Sequence, residues 1–342
     1  MPVSRFPVLL LACLLLSSCA APPPPRAEEP VPGPLLVEPG SGGIRLVLPT
    51  SPPMVVENGR ARPIPGIPAG DRVTSVVRVG TTPVLLSARR CGPSCTEPAD
   101  VYAWSKPLGR AYSVAPAADG TAVWMIRDGG TPCLLQRVPL DGTAPGEAQP
   151  ASCQTAVRGE DRDGLLITVN SGRPEALDVL IDPGTGRTVQ QFPRIAAVAG
   201  GSLLALGLVD FTAHELGTGR SRTVPRPVPN GRPGVVVPSR DGRLLAVPFE
   251  DLEWHGGTTR SLDLWVLDLD GGDRWTHAPS MPVSTDFTAD ALDWTADGDL
   301  VLTGTFAGKT SSAAAWRPGE SRWRSIASEL PPRSNRSVVA LP

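Results

Sequence analysis

Lysine is almost missing from this chain. Of its 32 basic residues only Lys106 and Lys309 are lysine, and 34 acidic residues leave a net charge of −2. No nucleic acid and no acidic surface is expected as a partner on that balance. Long apolar runs are also missing. The longest, residues 6–16, is too short to cross a bilayer core, which takes about 20 residues. No long segment shows a helical period, no G-x-S-x-G elbow or phosphate-binding glycine loop occurs, and there are only three histidines, His214, His255 and His277. These absences argue against a helical domain, a nucleotide site and a local hydrolase motif.

What is abundant is proline, with 40 residues, and glycine, with 36. The first stretch, MPVSRFPVLLLACLLLSSCA, has one positive residue, an apolar run and then small residues, which is the pattern of an export signal. Leu16-Ser17-Ser18-Cys19 resembles a bacterial lipobox. That resemblance implies cleavage before Cys19 and lipidation of its thiol, with residues 1–18 as signal. Residues 19–38, rich in proline, read as a tether on the order of 50 Å or less in extended form. The expected location is outside the cytoplasmic membrane, anchored by lipid on its outer face or in an outer membrane.

Of the six cysteines, Cys13 lies in the signal and Cys19 carries lipid. Cys91, Cys95, Cys133 and Cys153 remain, and an even number in an exported chain favours disulfides. Cys91 with Cys95, and Cys133 with Cys153, is the expected pairing. Half a metal site at C-x-x-x-C is the alternative, with no histidine near it in sequence.

From residue 39 onward the chain repeats itself. Apolar strands follow Gly43, Gly80, Gly120, Gly164, Gly201, Gly242 and Gly298, at spacings of 37, 40, 44, 37, 41 and 56 residues. A second series of turns keeps phase with the first: Asn58-Gly59, Leu108-Gly109, Asp141-Gly142, Pro183-Gly184, Leu216-Gly217, Asp270-Gly271 and Pro318-Gly319. Glycine and asparagine tolerate the positive φ of tight hairpins. Units of about 40 to 45 residues with four short strands are those of a β-propeller blade. The expected fold for residues 39–342 is all-β, a β-propeller of four-stranded antiparallel blades, seven in number. Six stays open, because only eleven residues separate Gly109 from Gly120. The apolar strands are read as the inner ones, covered on both faces by neighbours. The final RSVVAL, residues 336–341, is expected to pair with the first sheet and close the ring.

SRDGRLLAV and TADGDLVLT resemble the repeats of TolB-like and WD-repeat-like bacterial propellers. The resemblance covers most of the chain after residue 38 and implies the fold.

Three segments raise chemistry. FEDLEWHGGTTR gathers Glu250, Asp251, Glu253 and His255, which read as a solvated polar loop or a cation site. Asp268, Asp270 and Asp273 approach a calcium loop, but the glycines are out of place and a hairpin turn accounts for them. Residues 118–124 approach an Asp-box with failed spacing. Neither a metal nor another cofactor is expected, and the tryptophans are expected to pack between blades. The loops joining second to third strands vary most, so Arg89, Arg90, Trp254, His255 and Lys309 form the expected recognition face. The function expected is that of a monomeric, non-catalytic binding or assembly module with a protein or glycan partner. The alternative is an exported propeller enzyme acting on glycans or peptides.

Overall fold

The computed structural model describes residues 43–68, 72–88, 97–192, 194–228, 231–250, 262–279, 291–306, 310–331 and 337–341. These residues contain strands, turns and no helix. The strands form six hydrogen-bonded sheets, and dividing the seven-stranded one at its shared strand β7 gives seven groups of four in chain order. Group 1 holds β1 (Arg45–Leu48), β2 (Met54–Glu57) and β3 (Arg60–Pro63). Group 2 holds β4 (Arg72–Val79), β5 (Thr82–Ala88), β6 (Ala99–Ala103) and β7 (Lys106–Pro116). Group 3 shares β7 and adds β8 (Ala122–Arg127), β9 (Cys133–Pro139) and β10 (Gln149–Ala151). Group 4 is β11 (Ala156–Asp161), β12 (Gly164–Val169), β13 (Leu177–Ile181) and β14 (Thr188–Phe192). Group 5 is β15 (Ile195–Ala199), β16 (Ser202–Leu206), β17 (Phe211–Glu215) and β18 (Ser221–Val224).

Group 6 opens with a broken strand, β19 (Arg232–Pro233) and β20 (Val237–Pro238), both paired to β21 (Leu244–Glu250), followed by β22 (Leu262–Asp268) and β23 (Arg274–His277). The break follows from Pro233 and Pro238, which have no N–H to give a ladder. Group 7 is β24 (Ala291–Trp294), β25 (Leu300–Phe306), β26 (Thr310–Trp316) and β27 (Arg324–Leu330). The last strand, β28 (Val339–Leu341), returns to pair antiparallel with β1, Val47 opposite Val339, and supplies the fourth strand of group 1.

The short joint near Gly109 is solved by sharing. The Lys106–Ala111 part of β7 pairs with β6, and its Ala111–Pro116 part pairs with β8, so one strand serves two groups. This corrects one expected turn: Leu108-Gly109 lies inside β7, and the turn is at Trp104-Ser105, where Trp104 has φ 52°. The glycine-led apolar strands also need correcting. They are β1, β5, β8, β12, β16, β21 and β25, each second in its group rather than first.

Second position explains their composition. Successive side chains of a strand point to opposite faces, and here both faces are covered. Leu46 and Leu48 pack against group 7 while Val47 packs against group 2; Leu300 and Leu302 face group 6 while Val301 faces group 1. Among the described residues the buried apolar side chains form seven clusters, each between two consecutive groups, and the cluster holding Leu46, Val301 and Val338 joins group 7 to group 1. Tryptophans serve these seams. Trp294 is fully buried and donates its indole N–H to Val237 O at 2.9 Å, from group 7 to group 6.

The first strands touch in succession, β28 to β4, then β7, β11, β15, β20 and β24, and β24 touches β28. Their turns meet backbone to backbone. A Cβ at Gly242, where φ is +71°, would sit 2.6 Å from the Gly200 nitrogen. Gly298 has the same role in group 7, φ +84°, with nothing within 4 Å. Gly298→Ala is therefore expected to cost about 1–2 kcal/mol for the backbone conformation alone. Gly242→Ala must in addition displace backbone, and about 2–4 kcal/mol is expected, read from urea unfolding of the two variants.

Cys133 and Cys153 are disulfide-bonded, as expected. The bond joins the start of β9 to the segment after β10 and closes a loop of 20 residues. Its reduction should lower stability by about 3 kcal/mol, measured as the shift in the denaturation midpoint with and without reductant. Cys91 and Cys95 lie outside the described residues.

Candidate functional site

First strands are edges, and a free edge leaves N–H groups unpaired. Side chains of the neighbouring group supply acceptors. Ala118 N–H donates to Glu160 Oε2 at 3.0 Å, Gly201 N–H to Asp161 Oδ2 at 3.2 Å, and Val157 N–H to Ser113 Oγ at 2.9 Å. Ile195 N–H donates to the buried Asp178, which also accepts from Thr168. Between groups 1 and 7, Ala340 N–H donates to Asp293 Oδ2 at 2.7 Å.

Asp293 is the centre of a larger cluster. Arg78, on β4, places Nη1 2.5 Å from Asp293 Oδ1 and 2.8 Å from Trp294 O. Arg240, after β20, donates Nε to Trp294 O at 3.2 Å and Nη2 to Ala340 O at 2.8 Å. Residues of groups 1, 2, 6 and 7 are thereby tied together. Burial pushes the Asp293 carboxyl above the usual range, and Arg78 and the amide donors pull it back only in part. Burial also lowers the Arg240 guanidinium, and neighbouring Arg78 lowers it further.

Beside this cluster, along the first strands of groups 3 to 6, lies a cavity of about 610 Å³. Its apolar wall includes Ala117, Leu166, Ile195, Ala197, Val236 and Pro238; its charged residues are Arg158, Glu160, Asp161, Arg162, Arg240 and Asp241. A volume of this size suits a small molecule. A second cavity of about 530 Å³ shares Ser239, Arg240 and Asp241 and runs between groups 6 and 7. The carboxylates are engaged by donors: Asp241 accepts from Ser239 Oγ at 2.6 Å and from Arg243 N–H at 3.1 Å, the hydroxyl first among the causes that lower its pKa.

Arg89, Arg90, Trp254, His255 and Lys309, like Cys19, lie outside the described residues. Of the other histidines, His214 meets Ser221 Oγ at 2.7 Å across β17 and β18, and His277 meets Asp263 Oδ1 at 2.5 Å and stacks on Trp265 at 4.2 Å between ring centres. Both make cross-strand contacts, in keeping with a structural or surface role. Asp268 accepts Gly271 N–H at 2.8 Å and Asp273 pairs with Arg222 at 2.8 Å, so the calcium-like segment is a hairpin turn. Among the described residues no three His, Cys, Asp or Glu side chains gather as a metal site.

Arg78, Arg158, Arg240 and the turn carboxylates escaped the sequence reading. The one available signal was Asp293, a carboxylate in the apolar stretch Ala-Leu-Asp-Trp.

No family model matches the chain, and no curated protein matches it by sequence. Solved structures are similar to it in fold. The periplasmic gluconolactonase of Pseudomonas aeruginosa superposes with a TM-score of 0.55 at 13% identity, over 88% of this chain and 99% of that one. A functionally unknown protein from Desulfotomaculum acetoxidans gives 0.52 at 12%, over 88% and 99%. A puromycin hydrolase gives 0.50 at 17% over 86% of this chain, which spans only 54% of the hydrolase. At these identities the likeness establishes the fold alone: an all-β, β-propeller-like arrangement of four-stranded antiparallel sheets.

Proposed function

We propose that this chain is a lipid-anchored, extracytoplasmic seven-bladed β-propeller that binds a small polar ligand in the open half of its central channel. Seven groups with seven apolar seams support a closed ring, because an open row of seven would have six. Pairing of β28 with β1 supports closure by the last strand. On this reading the Arg78–Asp293–Arg240 cluster fills one side of the channel and leaves the other as the cavity. The observation that carries the ligand-binding reading is that cavity of about 610 Å³, with apolar walls and converging charged groups. Anchoring rests on the lipobox-like sequence before Cys19. Cys19→Ala is expected to leave the membrane fraction.

A second reading is an exported propeller enzyme acting on glycans or peptides. Two of the three structural neighbours are named as enzymes, a gluconolactonase and a hydrolase, and carboxylates line the cavity of this chain. The neighbours favour this reading over a purely assembling module. One experiment tests both. The purified protein is dialysed against a defined mixture of sugars, peptides and organic acids, and retained and altered compounds are read by mass spectrometry. The control is Ala118→Trp, an exposed cavity residue whose enlargement fills the mouth. A compound retained by the parent and lost in the variant supports binding, and a product formed only by the parent supports the enzyme. Retention that Ala118→Trp leaves unchanged contradicts the cavity as the site.

A further inference from the structure

Charge in the cavity is arranged unevenly, and the unevenness points to the class of ligand. This step rests on the ligand-binding reading above. The cluster closing one side holds two guanidinium groups, Arg78 and Arg240, against one carboxylate in contact, Asp293. Asp297 supplies Arg240 only a Coulombic counter-charge. On another wall Arg158 sits where β11 bulges between Val157 and Gly159, and it is exposed to the cavity. Among the described residues its guanidinium has no hydrogen-bond or ion-pair partner.

The acidic side chains differ. Glu160 accepts from Ala118, Asp161 from Gly201 and Arg162, and Asp241 from Ser239 and Arg243, so each is occupied with stitching turns. Arg162 is held by Asp163 at 3.1 Å. Free donors on one wall, a surplus guanidinium on another and engaged acceptors between them favour a ligand that brings acceptors of its own. A guanidinium fork suits an oxyanion best, because its parallel N–H groups match two oxygens. The remaining lining, Ala117, Leu166, Ile195 and Val236, would cover an apolar body.

We propose that the cavity takes a small organic oxyanion, with a carboxylate or phosphate held by Arg158 and facing Arg240, and an apolar body against Ala117, Leu166, Ile195 and Val236. Arg158 is the residue to change, since it is exposed and Arg240 helps to hold the fold together.

The test is calorimetric or ligand-observed titration of the purified protein with benzoate, phenyl phosphate and, as a neutral match, benzyl alcohol. At least one anion should bind about tenfold or more tightly than benzyl alcohol, the factor expected of a charge-assisted hydrogen bond. Arg158→Gln should remove about that factor with no change in melting temperature, and Arg158→Lys should keep part of it. A preference between benzoate and phenyl phosphate assigns the head group. Equal binding of all three, blocked by Ala118→Trp, overturns the anion and leaves the cavity reading standing. Anion binding that Arg158→Gln does not weaken overturns the assignment, as does no binding of either anion at about 10 mM, the weakest affinity such a site would have.

Discussion

A chain ending at Pro331 is expected not to fold cooperatively. The deletion removes β28 and with it Val338, Val339 and Leu341, all at most 5% exposed. Burial of a valine or leucine side chain is worth about 1.5–3 kcal/mol, so roughly 5–9 kcal/mol is lost from these three alone. A domain has about 5–15 kcal/mol in total. Two further losses add to this: the three paired residues of β28 leave β1 as an open edge, and Asp293 and Arg240 lose their partners on Ala340. Urea unfolding followed by tryptophan fluorescence should show a broad or absent transition. A cooperative transition close to that of the full chain would mean that groups 1 and 7 hold together without the last strand.

The second large effect is expected at Asp293. Replacing it by alanine leaves the mostly buried Arg78 against Trp294 with no counter-charge, and removing one partner of a fully buried pair costs about 3–5 kcal/mol, an upper bound here. Arg78→Met leaves the opposite fault, a buried carboxylate without its guanidinium. In the double variant neither charge is stranded by the other. The double should therefore lose less than the sum of the singles, by about 1–3 kcal/mol. Additive losses would show that Arg78 and Asp293 act independently and that the contact does not couple β4 to β24.

How much of this was legible in the sequence depends on how local each feature is. The second strands could be read because both their faces meet apolar neighbours: Leu46, Val47 and Leu48 all sit in clusters, so the run itself is the signal. First strands carried no such run consistently, although that of group 5 reads Ile-Ala-Ala-Val-Ala. Those of groups 4 and 6 read Ala-Val-Arg-Gly-Glu-Asp and Val-Pro, mixed because they face the cavity as well as their neighbours. That mixture is why the glycine-led strands were placed one position too far inward. Gly109 misled for a related reason: it follows the extra residue Leu108, a bulge of β7 opposite Val101 and Tyr102, and has a positive φ inside a strand, where a turn was expected.

The site was less legible than the fold. Arg78 and Asp293 are 215 residues apart and Arg240 and Ala340 are 100 apart, so no spacing in the sequence brings them together. Only the cyclic order of the groups does. Loop composition drew attention to Arg89, Arg90, Trp254, His255 and Lys309, which lie outside the described residues, and gave no pointer to the first strands and turns that line the cavity.

The most direct test of the proposed closed seven-bladed ring is native-state hydrogen exchange on the intact protein. If the ring closes through β28, amides of β28 and β1 exchange only with global unfolding and share one opening free energy with β24 and β4. Exchange of β28 through a separate, low-energy opening, with β1 and β24 still protected, would contradict it.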